Sequence, residues 1–215
     1  MSKSIAVIGL GKFGKSLVRA LSELHVDVLA VDEKEENVKE VEAYCTAAIC
    51  ADLTKEESLT SLSLKDMDIV VVAIGHDLKS AIYAVSAAKE QGVPRILAKS
   101  TSDRMSSIFL KVGADEIIMP EEYAGKRTAV ILASDTVLDY FQIDNNLRMI
   151  EMVPLEEWVG KSLLELNLRN KHHINVVAVK VEGGNWAMID PEQKMEKENR
   201  LLAVLERENL EWLAR

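Results

Sequence analysis

The chain has 215 residues, a net charge of −9 and a pI near 5.1, and 48% of its residues are hydrophobic. This acidic balance argues against a general nucleic-acid binder, which needs a basic surface. No apolar run approaches the ~20 residues of a membrane-spanning helix, and the opening "MSKSIAVIG" has no cleavage-site pattern. We therefore expect a cytoplasmic globular protein of one or two domains.

The first 120 residues alternate short apolar runs with amphipathic segments. Near-continuous apolar runs are typical of parallel strands that are covered on both faces. Single helices between such strands favour right-handed crossovers, so we predict a Rossmann-like α/β domain with a doubly wound parallel sheet. The predicted strands are, in order, "SIAVIG", "DVLAVD", "TAAICAD", "DIVVVAIG", "RILAKS" and "DEIIMP".

Residues 121–141 predict a long crossover helix with a candidate break near Ser134 and Asp135. Its apolar side chains would leave a surface that a single sheet does not easily cover. Two interpretations fit: the helix packs on its own domain, or it is an arm exchanged with a partner subunit. We favour the second interpretation because the preceding units already complete the sheet.

The rest of the chain predicts a small α+β domain. A hairpin with Gly183 and Gly184 at its turn is its clearest feature. We place the two domains at residues 1–143 and 144–215. The predicted elements are a strand in "LRMIEMVP", a short helix and loop in "VGKSLLELNLRNKHH", the hairpin in "INVVAVKVEGGNWAMI", a strand in "RLLAVLE" and a helix in "RENLEWLAR".

A glycine-rich turn follows the first predicted strand, with Gly9, Gly11 and Gly14 in the GxGxxG pattern. In a dinucleotide-binding fold these glycines permit the tight turn, the approach of a pyrophosphate and close helix packing. The phosphates then lie at a helix N-terminus, which favours anions. Asp32 ends the second strand, where a carboxylate accepts hydrogen bonds from ribose hydroxyls and disfavours the 2′-phosphate of NADP.

Three further residues near this turn have a functional and an ordinary interpretation. Lys12 reaches a phosphate or is a solvated lysine at a helix start. Asp52 contacts an adenine edge or caps the helix that follows it. Lys99 lies at the ligand-binding edge of the sheet or is a surface lysine.

Residues 9–16 also match the P-loop pattern. A P-loop protein needs an acidic residue for Mg²⁺ after a later apolar strand, whereas "DIVVVAIG" ends in Gly75 followed by His76. We therefore favour the dinucleotide-type fold. Cys45 and Cys50 lack a second Cys/His pair at zinc-ligand spacing, so we expect buried, reduced thiols.

An enzyme with this fold would need a group that moves a proton beside a hydride. His76 follows the fourth strand, a position from which it could face the nucleotide, but no partner motif accompanies it. We expect a protein that is not an enzyme, and an NAD-dependent oxidoreductase is the alternative.

Five segments together resemble the RCK family, the cytosolic regulatory subunits of Ktr- and Trk-type potassium transporters, and in particular its KtrA-like members. The similarity runs in order along essentially the whole chain. The segments are "AVIGLGKFGKSL", "VLAVD", "IVVVAIG", "GADEIIMPEE" and "GKSLLELNLRNKHHINVVAVK".

The resemblance implies a nucleotide-sensing subunit that gates a membrane potassium-translocating subunit. Dimers would exchange the helix after Pro120 and assemble into an octameric ring, associated with the membrane through the transporter. The ligand would be ATP or ADP, with NAD(H) possible in Trk-like relatives. Glu121 would approach a terminal phosphate together with a divalent cation, or is a carboxylate favoured by the helix dipole. The candidate nucleotide-binding residues are Gly9, Gly11, Lys12, Phe13, Gly14, Asp32, Asp52 and Lys99.

The C-terminal domain would resemble RCK_C modules, which in some KtrA proteins bind cyclic di-AMP between two subunits. The alternative is a core helix with a surface arginine. Lys12 stands where relatives often have arginine, so nucleotide preference would differ. The residues that match the cyclic di-AMP site are Leu163, Leu164, Arg169, Ile174, Asn175 and Pro191.

Overall fold

The computed structural model describes the backbone of residues 3–213, with side chains over that range except at 56 and 211–213. The chain forms two compact units that divide between Glu121 and Glu122. None of the helices within the described range is long and apolar enough to span a bilayer.

The first unit carries a parallel sheet, and its strands and helices alternate along the chain. The strands are β1 Ser4–Ile8, β2 Asp27–Asp32, β3 Ala47–Cys50, β4 Ile69–Val72, β5 Arg95–Lys99 and β6 Glu116–Ile118. The helices are α1 Lys12–Glu23, α2 Glu35–Lys39, α3 Glu56–Ser61, α4 Leu78–Glu90 and α5 Asp103–Val112. The order β3-β2-β1-β4-β5-β6 is that of a doubly wound dinucleotide-binding fold, as the sequence predicts.

The sheet is covered on both faces because consecutive strand residues point in opposite directions. Ala6 and Ile8 of β1 join a core formed with α4 and α5, whereas Ile5 and Val7 join a core formed with α1 and α2. Buried aliphatic residues on both faces explain why the strands were recognisable as continuous apolar runs.

The cysteines differ from the expectation of two buried thiols. Cys45 is half-buried, and burial raises the pKa of its thiol. Cys50 is exposed, so that part of the prediction is wrong. The reason is topological: β3 is an edge strand, and its only sheet neighbour among the described residues is β2.

The second unit is built on an antiparallel sheet. In the chain, α6 (Pro120–Leu132) comes before this sheet. Its strand order is β10-β9-β11-β8-β7. The strands are β7 Val137–Gln142, β8 Leu147–Met152, β9 Ile174–Lys180, β10 Trp186–Met188 and β11 Arg200–Glu206. The helices are α7 Leu163–Leu166, α8 Leu168–His172 and α9 Arg207–Leu213.

The helix predicted over residues 121–141 is correct only in its first part. It ends at Leu132, close to the candidate break, and β7 follows it. The Ser134 hydroxyl accepts hydrogen bonds from the backbone N–H groups of Thr136 and Val137, which favours a turn over a further helical turn. β7 then pairs with β8, with Tyr140 opposite Ile150.

The domain boundary predicted between residues 143 and 144 differs from the division that the structure shows. β7 is hydrogen-bonded to β8, so residues 137–142 belong to the second sheet. Contacts separate the units earlier, between Glu121 and Glu122.

Candidate functional site

The glycine turn after β1 is built from backbone atoms in close contact. Gly9 has φ +99°, and a Cβ there would lie 2.8 Å from Ile74 Cγ1 and 2.9 Å from the Ile74 nitrogen. A Cβ on Gly14 would lie 2.0 Å from the carbonyl oxygen of Gly9. A Cβ on Gly11 would have no atom within 4 Å. Gly9 and Gly14 are therefore required for close backbone packing, whereas Gly11 borders open space before α1.

The N-terminus of α1 is suited to an anion. Gly11 is the N-cap, and α1 has no acidic residue in its first turn. A glycine N-cap has no side chain that could satisfy the first helical N–H groups, so they remain donors for a ligand.

Asp32 is buried and already has three N–H donors. Its Oδ2 accepts from the Leu10 backbone nitrogen at 2.6 Å. Its Oδ1 accepts from the Lys34 backbone nitrogen and from Asn37 Nδ2, both at 2.9 Å. A carboxylate has about four acceptor positions, so roughly one remains for a ribose hydroxyl. Asp32 thus joins the glycine turn to the loop after β2.

A cleft of about 550 Å³ lies at the carboxyl ends of the parallel strands. It brings together most of the residues predicted to bind a nucleotide, and ligands of open α/β sheets bind at this edge. Gly14 lies beneath the turn and does not line the cleft. The predicted residues in its lining are Gly9, Gly11, Lys12, Phe13, Asp32, Lys99 and Glu121.

Lys99 and Glu121 form an ion pair in this cleft. Lys99 Nζ donates to Glu121 Oε1 at 2.6 Å, and it lies 6.0 Å from the centre of the Phe13 ring. The hydrogen bond from Lys99 holds the pKa of the Glu121 carboxyl below its usual value, and the nearby His76 acts in the same direction. The cleft therefore has a cation at its phosphate end beside the free N-terminus of α1.

Asp52 is placed differently from the other predicted residues. Its carboxylate accepts from the Thr54 backbone nitrogen and hydroxyl at 3.0 and 2.6 Å. These bonds, with a further contribution from Lys55, lower the pKa of Asp52 to about 2. Leu53 lines the cleft, but Asp52 is not among the described residues that do. The N-cap of α3 is Lys55, so Asp52 stabilises the loop before that helix.

Glu121 does not by itself form a divalent-cation site. Such cations prefer several oxygen ligands, whereas Glu121 is paired with an ammonium group. Residues 3–213, as far as their side chains are described, contain no cluster of three or more His, Cys, Asp or Glu suited to a metal.

The sequence analysis missed several residues that line the cleft. A signal was available, because most of them directly follow the carboxyl ends of β2, β4 and β5, where parallel strands converge. Asn37, Leu53 and Ser80 are exceptions, and the role of Asn37 depends on how α2 folds back towards Asp32. The missed residues are Glu33, Lys34, Asn37, Leu53, Ala73, Ile74, Gly75, Asp77, Ser80 and Thr101.

The predicted cyclic di-AMP residues are only partly brought together. The Leu164 backbone nitrogen donates to the carbonyl oxygen of Pro191 at 3.2 Å, so these two residues are neighbours. Arg169 and Asn175 are exposed, on α8 and β9. Leu163 packs against the core of the unit and Ile174 is fully buried within it.

The family follows from comparison with known proteins. The TrkA-N domain model matches residues 5–120. The chain is 39% identical, over 84% of its length, to the Ktr system potassium uptake protein C of Bacillus subtilis (strain 168), and the match covers 81% of that protein. It is 32% identical over 94% of its length to the Ktr system potassium uptake protein A of the same strain, covering 91% of it. The chain therefore belongs to the TrkA-N family of Ktr and Trk potassium uptake proteins, which confirms the resemblance.

The fold is shared with a channel of known structure. The structure described as the GsuK channel bound to NAD matches 100% of this chain at a TM-score of 0.66 and 15% identity. This chain covers 40% of that channel's chain. At this identity the likeness shows the fold, a Rossmann-like domain followed by a small antiparallel domain.

Proposed function

We propose that this chain is the nucleotide-sensing regulatory subunit of a Ktr-type potassium transporter. The observation that carries this function is the cleft in which the glycine turn, the open N-terminus of α1, Asp32 and Lys99 converge. The chain belongs to a family of potassium uptake proteins, which supports a membrane-embedded potassium-translocating subunit as its partner. The subunit would act on the cytoplasmic side, attached to the membrane through that partner.

ATP or ADP is the ligand we propose, with NAD(H) as the other adenosine nucleotide that fits the turn. Phosphates would accept bonds from the first N–H groups of α1 and from Lys12. A ribose hydroxyl would donate to the remaining acceptor position of Asp32. Glu33 beside it adds a second carboxylate to the lining, and repulsion disfavours a 2′-phosphate. A divalent cation would need phosphate oxygens besides Glu121, and no step here depends on it.

The subunit would act by shifting a conformational equilibrium rather than by turnover. A nucleotide that binds one of two conformations more tightly shifts the equilibrium towards that conformation, and the size of the shift is set by the difference in affinity. We propose dimers that assemble into an octameric ring whose shape the transporter senses. An α6 without a single buried residue, followed by the exposed Phe141 and Ile143, supports an arm that a partner subunit covers.

The second unit would bind a second ligand, cyclic di-AMP, between two subunits. Arg169 is exposed and would form paired hydrogen bonds with a phosphate. Leu164 and Pro191 offer an adjoining apolar surface for a base. The buried Ile174 would support this surface from the core instead of contacting the ligand.

Calorimetry with purified protein tests the proposed nucleotide site. Asp32→Ala should weaken adenosine-nucleotide binding by about 1–3 kcal/mol, because a charged hydrogen-bond partner is lost. Glu35→Ala is a matched control, since Glu35 is exposed on α2 and pairs with Lys39. Unchanged affinity in Asp32→Ala would refute the site. Robust oxidation of NADH by the protein would instead establish an enzyme.

A further inference from the structure

The Lys99–Glu121 pair joins two partners with very different exposure. The Lys99 side chain is 12% exposed, whereas that of Glu121 is 67% exposed. An ammonium group removed from water needs a counter-ion, because burying it alone is costly. A carboxylate at the surface regains its hydration when it leaves such a pair. Glu121 is therefore the partner that is easily exchanged.

Glu121 also has an alternative environment of low energy. It is the second residue of α6, and a carboxylate in the first turn of a helix is stabilised by the helix dipole. Its own backbone contributes a hydrogen bond that lowers the pKa of its carboxyl. Release from Lys99 thus leaves Glu121 solvated and still favourably placed.

The ammonium group faces the phosphate end of the cleft. Its Nζ lies 6.0 Å from the ring of Phe13, the second residue of α1. It also lies 3.6 Å from where a Cβ on Gly75 would stand, within the loop that follows β4. Lys99, Gly11 and Lys12 line the same cleft. A phosphate chain that extends from the N-terminus of α1 meets Lys99 as the next cation.

We propose that Lys99 is an exchangeable phosphate ligand, whose ammonium passes from Glu121 to the terminal phosphate of a bound nucleotide and so releases the Glu121 carboxylate. This inference rests on the proposed function, because it names the step by which the subunit would distinguish a nucleotide with three phosphates from one with two. A ligand with a longer phosphate chain reaches Lys99 and exchanges with Glu121, whereas a shorter one leaves the pair intact. The signal arises at the first turn of α6.

The experiment is calorimetry of ADP and ATP, with a chelator present, on wild type and two charge variants. Glu121→Gln removes the carboxylate that competes for Lys99, so ATP affinity should rise about three- to tenfold and ADP affinity should change little. Glu122→Gln is the matched control: it removes the same charge one residue later, where the carboxylate pairs with Lys126. It should leave the ratio of ATP to ADP affinity at the wild-type value.

Lys99→Met in both backgrounds separates exchange from simple repulsion. If Glu121 acts through Lys99, the gain in ATP affinity from Glu121→Gln disappears once Lys99 is replaced. Persistence of that gain, or an equal gain in Glu122→Gln, would overturn the proposal. The two single Gln variants change exposed positions, so an unchanged ratio of ATP to ADP affinity in Glu121→Gln overturns the proposal even if Lys99→Met does not fold. Failure of the wild type to bind ADP and ATP refutes the nucleotide-sensing function itself, which is a different result.

Discussion

Gly11 and Gly14 lie in one turn, and the structure gives them opposite reasons for being glycine. A Cβ on Gly14 would stand 2.0 Å from a backbone oxygen, whereas a Cβ on Gly11 would meet nothing within 4 Å. Gly14 thus serves the fold. Gly11 keeps open the space through which a phosphate approaches the helix.

This difference predicts opposite phenotypes for two alanine variants. Gly14→Ala should lower the free energy of unfolding by about 1–3 kcal/mol, since the backbone must shift. Gly11→Ala should leave it within about 0.5 kcal/mol. Gly11→Ala should instead weaken nucleotide binding about tenfold, because the methyl group occupies the approach path. Urea denaturation and calorimetry measure the two effects, and equal destabilisation of both variants would contradict this division.

Residues of the site were predictable where a short motif carried them. The glycines and Asp32 are identified by spacing alone, because strand, turn and helix are contiguous in the chain. The partner of Lys99 was not predictable. Glu121 lies three elements later, in α6, and its contact with Lys99 depends on the path of the chain after β6 and on side-chain conformations.

At the level of elements, buried strands were predicted well and the strand after α6 was not. The strands of the parallel sheet are apolar on both sides, which is a strong signal. β7 is an edge strand with exposed and buried positions mixed, and its register is irregular between Val137 and Asp139. Its apolar spacing therefore also fitted a helix. This segment forms a strand because it pairs with β8, which is a tertiary interaction.

Two adjacent aromatic residues of β7 should behave differently. Tyr140 is 6% exposed in the core of the second unit, so Tyr140→Ala should lower the free energy of unfolding by about 3 kcal/mol. Phe141 is 41% exposed, and Phe141→Glu should leave the fold intact but disrupt the proposed dimer. Urea denaturation and light scattering measure these outcomes. An unchanged mass for Phe141→Glu would argue against the exchanged arm.

The bond between α6 and β7 predicts a pH dependence. Arg127 donates to both carboxylate oxygens of Asp139, at 2.7 and 2.8 Å, and holds the pKa of Asp139 below its usual value. Because the pKa of Asp139 is lower in the folded than in the unfolded state, the ion pair stabilises the fold at any pH above the unfolded-state pKa of about 4. This stabilisation is lost as the pH falls through the folded-state pKa. Arg127→Gln should therefore lower the melting temperature by about 2–4 °C at pH 7 and have less effect below pH ~4.

Lys126→Gln is the control for this pH dependence. It removes the same charge from the neighbouring residue, whose partner is the exposed Glu122 of the same helix. Exposed pairs of this kind contribute little to stability, so its melting temperature should follow the wild type across the pH range. Identical pH profiles for Arg127→Gln and Lys126→Gln would show that the Arg127–Asp139 bond is not the cause.

At the scale of the whole molecule, the two units have separate cores, so the two proposed ligand sites can be tested independently. Arg169→Ala should abolish cyclic di-AMP binding and leave ATP binding unchanged. Lys171→Ala, an exposed cation on the same helix, should bind both ligands like the wild type. Equilibrium dialysis with each ligand in the presence of the other measures this. Competition between the ligands for one site would contradict the two-site proposal.

The pairing of β7 with β8 has a consequence for recombination between relatives. A chimaera joined between residues 143 and 144 would take the two paired strands from different parents, with Tyr140 and Ile150 no longer matched. A join after Ala133 would preserve that pairing but separate Arg127 from Asp139. A crossover between Glu121 and Glu122 lies in the first turn of α6, and it transfers the rest of the helix, the strand pair and the core together. Gene shuffling in this family should therefore tolerate exchange at the start of α6 and select against exchange after its end.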